Sequence, residues 1–224
     1  MGSPELKTSN DQFGNGFMQY YGQDVISSTS TSPYDFSVDP STEKLPVAGD
    51  FFTYNQIGNI AFVAFSGAHP FKENKPYFDE ACQWAADPSI KLVFLEGHWN
   101  SDGDGSTDGA VPEVYANLKL IASCSAIYSK IRYFDGHQHC NKVMKPDIGF
   151  MVGANGMSSS ACDNEFGLAV IDTTNNKFQI NYFLINTAAD ASVDNYSKIV
   201  DCINQKGGIS NCYSLATNWV NTPI

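Results

Sequence analysis

Only 4 histidines occur in this 224-residue chain, and three of them stand in two matching contexts. His98 lies in Glu96-Gly97-His98-Trp99-Asn100, just past the apolar run Lys91-Leu92-Val93-Phe94-Leu95. His137 and His139 lie in Asp135-Gly136-His137-Gln138-His139-Cys140-Asn141, just past Ile131 to Phe134. A glycine before each histidine lets the backbone turn tightly and approach a ligand. A His-x-His spacing puts both rings on one side of an extended segment, and imidazole is the commonest metal ligand. His98, His137 and His139 are therefore the candidate metal ligands, and three imidazoles plus water make a workable zinc set. The competing reading is two surface loops with incidental histidines. His69, in Gly67-Ala68-His69-Pro70, has no such companion and reads as structural.

A second set of ligand-type residues follows His98. Asp102, Asp104, Ser106, Asp108 and Glu113 fall at positions 1, 3, 5, 7 and 12 of an EF-hand-like loop, where alternating oxygens could wrap calcium. Thr107 stands where glycine is wanted, Gly109 where an apolar residue is usual, and Pro112 precedes Glu113. A solvated acidic loop is the competing reading.

These residues need elements to hold them. Phe51 to Asn55 and Asn59 to Ser66 are β-rich runs around Gln56-Ile57-Gly58 and predict a hairpin. Pro76 to Ala86 predicts a helix with Phe78, Ala81, Cys82 and Ala85 on one face. Ile90 to Leu95 reads as a buried strand. Val111 to Lys130 reads as one long helix, with Val114, Leu118, Ile121 and Ser125 in register. Ile131 to Phe134 and Ile148 to Val152 read as short strands. Phe166 to Asp172 and Lys177 to Ile185 flank Thr173-Thr174-Asn175-Asn176, a hairpin signal. A last helix covers about Asp194 to Gln205. Helices between strands, then late hairpins, predict a layered α/β (α+β) chain with a mixed sheet and flanking helices. Both Gly-His groups then sit past the carboxyl end of a strand, where ligand sites form on such sheets.

Composition narrows the function. Hydrophobic residues are 42% and charged residues 17%, which excludes global disorder. The 13 Lys and Arg against 24 Asp and Glu give a net charge of -11, which disfavours nucleic acid and anionic membrane as partners. No apolar run is long enough to span a bilayer. The 6 cysteines are spread through the chain without a C-x-x-C pair. That pattern suits three disulfides and a secreted or extracellular setting, with six buried thiols as the competing reading. Cys202 with Cys212 is the expected pair, closing a short loop around Gly207-Gly208. Asn195-Tyr196-Ser197 is the one glycosylation sequon. Met1 to Leu6 carries no secretory pattern and looks like a cloning remnant.

The motifs together resemble the calcineurin-like metallophosphoesterases, which include purple acid phosphatases. Gly136-His137-Gln138-His139 is similar to that family's terminal Gly-His-x-His, and Val93 to His98 to its preceding strand and Gly-His. Tyr54 to Phe65 resembles the strand pair that follows the family's Asn-His motif. Gly149 to Gly156 and Phe166 to Leu184 resemble its closing strands. The likeness covers about residues 50 to 186. It implies part of a four-layer αββα sandwich and a two-metal centre of zinc, iron or manganese acting on a phosphate ester or other small anion. His98 and His137 would ligate one metal and His139 the other.

The departure from the family is as plain as the likeness. Gly-Asn-His occurs nowhere, the one Asp-x-His, Asp135-Gly136-His137, falls inside the terminal motif rather than ahead of it, and Gly49-Asp50 is a Gly-Asp that comes too late in the order. The resemblance implies a bridging carboxylate and a proton-donating histidine that have no counterpart here. The expected organisation is an irregular lead segment over 1–46, a metallophosphoesterase-like second half over 47–186, and a C-terminal helix with a disulfide loop over 187–224. The expected function is a phosphoric ester hydrolase type, truncated or inactive as it stands. The alternatives are a non-catalytic secreted binding or structural protein on the same frame, or a mononuclear zinc protein. An uncovered sheet face would then need the lead segment, the tail, a missing first half or a second chain to cover it.

Overall fold

A computed structural model of the chain describes residues 48–67, 69–101, 108–153, 162, 165–187 and 190–224. They divide into two compact units, one up to Tyr133 and one from Phe134 onward.

The first unit opens with the strands β1 (Thr53–Ile57) and β2 (Ile60–Ala64). They pair antiparallel with Ile57 opposite Ile60. The two residues between them include Gly58 at φ +61, which suits the glycine-first hairpin turn whose twist matches the strands. Strand β3 (Leu92–Glu96) runs parallel to β2, from Ile60 opposite Leu92 to Ala64 opposite Glu96. A parallel neighbour needs a crossover, and helix α1 (Phe71–Ala85) supplies it. Its buried residues Phe71, Asn74, Phe78, Ala81, Cys82 and Ala85 repeat at helical spacing. Phe78 meets Phe52 and Phe65 edge-on at 5.0 and 5.3 Å. Burying that ring contributes about 2–3 kcal/mol.

Helix α1 begins earlier than the sequence suggested. Pro76 lies inside it rather than in its first turn, and Pro70 occupies the capping position. The Phe71 N–H donates instead to the Asp108 carboxylate at 2.8 Å. The long helix expected over 111–130 is also several pieces. Helix α2 (Val111–Asn117) ends in a tight turn at Leu118–Leu120, and helix α3 (Ala122–Ala126) follows, with another tight turn at Tyr128–Lys130. The break is Ile121, extended at φ -105 and ψ 120 with its side chain buried. A disulfide joins Cys82 on α1 to Cys124 on α3, and the Ser123 hydroxyl donates to Asp79 beside it.

Strand β4 (Ile131–Asp135) leads into the second unit, where β5 (Asn141–Lys145) and β6 (Gly149–Val152) pair antiparallel. The order of this six-stranded mixed sheet is β1-β2-β3-β4-β6-β5. A second, antiparallel sheet holds β7 (Phe166–Asp172), β8 (Lys177–Thr187), β9 (Asp190–Asp194) and β10 (Thr217–Pro223). Its path is β10-β8-β7, with β9 pairing β8. The β7–β8 hairpin turns through Asn175 and Asn176, both at positive φ, as asparagine tolerates. Helix α4 (Tyr196–Lys206) stops at Gly207, left-handed at φ +77. Cys202 pairs with Cys212, as the spacing predicts, and Cys140 with Cys162. The sequence did not signal β5, β9 or β10. Among the described residues, no helix is long and apolar enough to cross a membrane.

Candidate functional site

In the first unit the residues of interest sit where β3 ends. Leu92 to Leu95 are buried through and through, so this strand is a fixed platform. Glu96 closes it and is half-buried, and burial pushes its carboxyl above the ordinary glutamate range. Gly97 follows because a side chain there has no room. Its Cβ would lie 2.6 Å from Val111 Cγ2 and 3.1 Å from the Phe65 ring. His98 then turns out, edge-on to Trp99 at 5.3 Å. Trp99 is 1% exposed, and its carbonyl accepts from the Val111 N–H at 2.9 Å.

Among the described residues, Trp99 Nε1, Asn100 Oδ1 and Glu113 Oε2 are buried and find no hydrogen-bond partner. Each costs about 1–3 kcal/mol if nothing reaches it. The turn is closed from behind by two glycines, for a Cβ on Gly67 would strike the Gly109 carbonyl and one on Gly109 the Gly67 carbonyl. His69 faces Glu73 at 3.3 Å one helical turn on, in keeping with a structural role.

In the second unit the loop from β4 to β5 carries the other two histidines. The His139 N–H donates to the Gly136 carbonyl at 3.1 Å, which closes a turn over His137 and Gln138. His139 itself is left-handed at φ +52. Such a conformation is uncommon away from glycine and costs of order 1–3 kcal/mol. Gly153 packs on the far side, where a Cβ would meet His139 Cα at 2.6 Å, and its N–H donates to the Cys140 carbonyl at 2.9 Å. The neighbouring Asn141 donates from Nδ2 to the Tyr182 hydroxyl at 3.1 Å, while its buried Oδ1 finds no partner among the described residues. Burial, with a hydrogen bond to Glu165, pushes the Tyr182 hydroxyl well above the ordinary tyrosine range. Trp219 stacks on the Tyr182 ring at 4.7 Å.

His98 thus belongs to one unit, and His137 and His139 to the other. Among the described residues, no group of three or more His, Cys, Asp and Glu side chains could hold a metal ion. Of the calcium-type set, Asp102, Asp104 and Ser106 lie outside the described residues. Asp108 is engaged as the acceptor at the start of α1, and Glu113 sits in the first turn of α2. Neither the half-buried Glu96 nor the buried polar atoms of Trp99 and Asn100 stand out in the sequence. The one available signal was a charged residue ending an otherwise apolar strand. In comparisons with known proteins the chain matches no family model, no curated protein and no solved structure.

Proposed function

We propose that this is a secreted protein of the metallophosphoesterase type whose chain, as it stands, does not turn over phosphate esters. The observation that supports this reading is the pair of Gly-His turns. Each leaves a strand of the six-stranded sheet; Gly97 of the first has no room for a side chain, and in the second Gly136 has room while Gly153 packs tightly against His139. Lack of turnover follows from the chemistry. Ester hydrolysis by this class needs a metal-bound hydroxide, a second cation at the leaving oxygen and a proton donor. This sequence matches no bridging carboxylate and no proton-donating histidine of the family. The three disulfides support an oxidising compartment.

The experiment is turnover of a chromogenic phosphate monoester and diester with zinc, manganese or iron, comparing the chain with an H137A/H139A variant. The expected result is the same rate for both, at the level of metal alone. Metal-dependent turnover that the double variant abolishes would overturn the inactive reading.

A second reading, a non-catalytic binding or structural protein on the same frame, is favoured by one observation. Among the described residues no three metal-ligating side chains gather. Zinc titration calorimetry separates the two. Stoichiometric uptake lost in H98A favours the metal-type reading, and no uptake favours the second.

A further inference from the structure

The Asn195-Tyr196-Ser197 sequon stands at the entry to α4, and its asparagine is built into the fold. The Asn195 N–H donates to the Ile185 carbonyl at 2.9 Å, and the side-chain Nδ2 donates to the Leu184 carbonyl at 3.2 Å. Its Oδ1 accepts from Lys198 Nζ at 3.3 Å, and its carbonyl accepts from the Ile199 N–H at 3.0 Å. The outer side of this turn is open, with Tyr196 61% exposed and Ser197 and Lys198 exposed as well.

We propose that Asn195 carries an N-linked glycan, attached before α4 forms and then retained by the folded turn; this rests on the secretory reading above. The acceptor form of a sequon brings the Ser197 hydroxyl back toward the asparagine amide. In the fold, Ser197 is committed to the helix and Nδ2 to Leu184, so attachment precedes folding. In the transfer, Nδ2 bonds to the anomeric carbon of an N-acetylhexosamine. The carbon–oxygen bond to its lipid-linked diphosphate breaks, the diphosphate leaves with the electron pair, and Nδ2 gives up one proton to a base. Nothing is oxidised or reduced. The modified amide keeps one N–H, which is all that its bond to Leu184 requires, and Oδ1 remains available to Lys198. The sugar projects on the side of exposed Tyr196 and covers an aromatic ring that otherwise faces water.

The test expresses the full chain in a eukaryotic cell behind a supplied secretory leader and weighs the secreted protein. One glycan is expected, removed by peptide-N-glycosidase with Asn195 converted to Asp. It should be absent from S197A, which leaves every Asn195 hydrogen bond in place. Secreted wild-type protein with an unmodified Asn195 would overturn the proposal. A C202A/C212A variant, whose α4 is slower to lock, should show at least the wild-type occupancy, and lower occupancy would overturn attachment before folding. Disulfide mapping on the same sample judges the compartment reading separately. Three reduced cysteine pairs would sink that reading, whatever the glycan result.

Discussion

Replacing both Cys82 and Cys124 by alanine should cost more stability than removing either other disulfide. The Cys82–Cys124 bond spans 42 residues, Cys140–Cys162 spans 22, and Cys202–Cys212 spans 10. A cross-link stabilises mainly by denying the unfolded chain its freedom, and the loss grows with the logarithm of the loop. The chain-entropy relation gives about 3.9, 3.4 and 2.7 kcal/mol for the three. Cys124, Cys140 and Cys212 are all fully buried, so every removal leaves a small void and loop length decides the order. Alanine is the right replacement, since serine would bury two hydroxyls and add an unrelated penalty. A loss near 4 kcal/mol is a large share of the ~5–15 kcal/mol that holds a domain together. The assay is urea unfolding of the three double variants, followed by indole fluorescence. Trp84 reports locally, two residues from Cys82 and against Tyr54 at 5.0 Å. The denatured state of C82A/C124A should expand, so the slope on urea should steepen as the midpoint falls. Two results would refute the reasoning: a loss below about 1 kcal/mol, or C202A/C212A as the most damaged of the three.

Gly67→Ala should lower stability by about 3 kcal/mol or more, because the added methyl meets the Gly109 backbone, which cannot swing aside as a side chain would. The same urea series checks it, and a loss under 1 kcal/mol, roughly the ordinary scale for a glycine exchange, would count against the close approach. Glu96→Gln should stabilise the protein at neutral pH. Burial raises the folded carboxyl's pKa, so its contribution is fullest below the unfolded value and is lost as pH rises through the folded one. Midpoints at about pH 4 and about pH 8 should show the variant's advantage only at the higher pH; an equal advantage at both would show that the carboxyl is not perturbed.

Much of the frame was legible because it is local. The hairpin around Gly58, the apolar run ending in Leu95 and the asparagine turn at 175–176 each advertise themselves within a few residues. The errors came where distant groups decide. Proline is tolerated in a first helical turn, so Pro76 looked like a start. The actual start at Phe71 depends on Asp108, which lies 37 residues away in the chain. The segment 111–130 has a continuous helical rhythm, and nothing in that rhythm distinguishes a helix from two pieces joined at Ile121. The break is visible only in the packing, where Ile121 turns inward at 3% exposure while Leu120 faces out at 72%. Strand β5 is half-buried along its length, without the alternation that marks a strand, and β10 is mostly exposed and polar.

The candidate site divides along the same line. That Gly-His turns follow strands could be read from three or four residues, since glycine, histidine and an apolar run carry the signal together. Why glycine is required could not. At Gly97 the reason is Val111 and Phe65, chain brought back by the fold; at Gly136 there is room for a side chain, and the constrained glycine beside the left-handed His139 is Gly153. Electrostatics adds a condition that the spacing of histidines cannot express. Imidazoles are neutral ligands, and a divalent cation needs negative charge nearby. The carboxylate closest in sequence to His98 is Glu96, and its half-buried position favours the protonated, uncharged form. A cation there competes with protons for that carboxylate, and the raised pKa makes the competition begin at a higher pH than for an exposed glutamate. The motif therefore speaks for ligand geometry, while the burial of Glu96 speaks against ready-made charge compensation. On the described residues the second consideration weighs more, because no three metal-ligating side chains gather there.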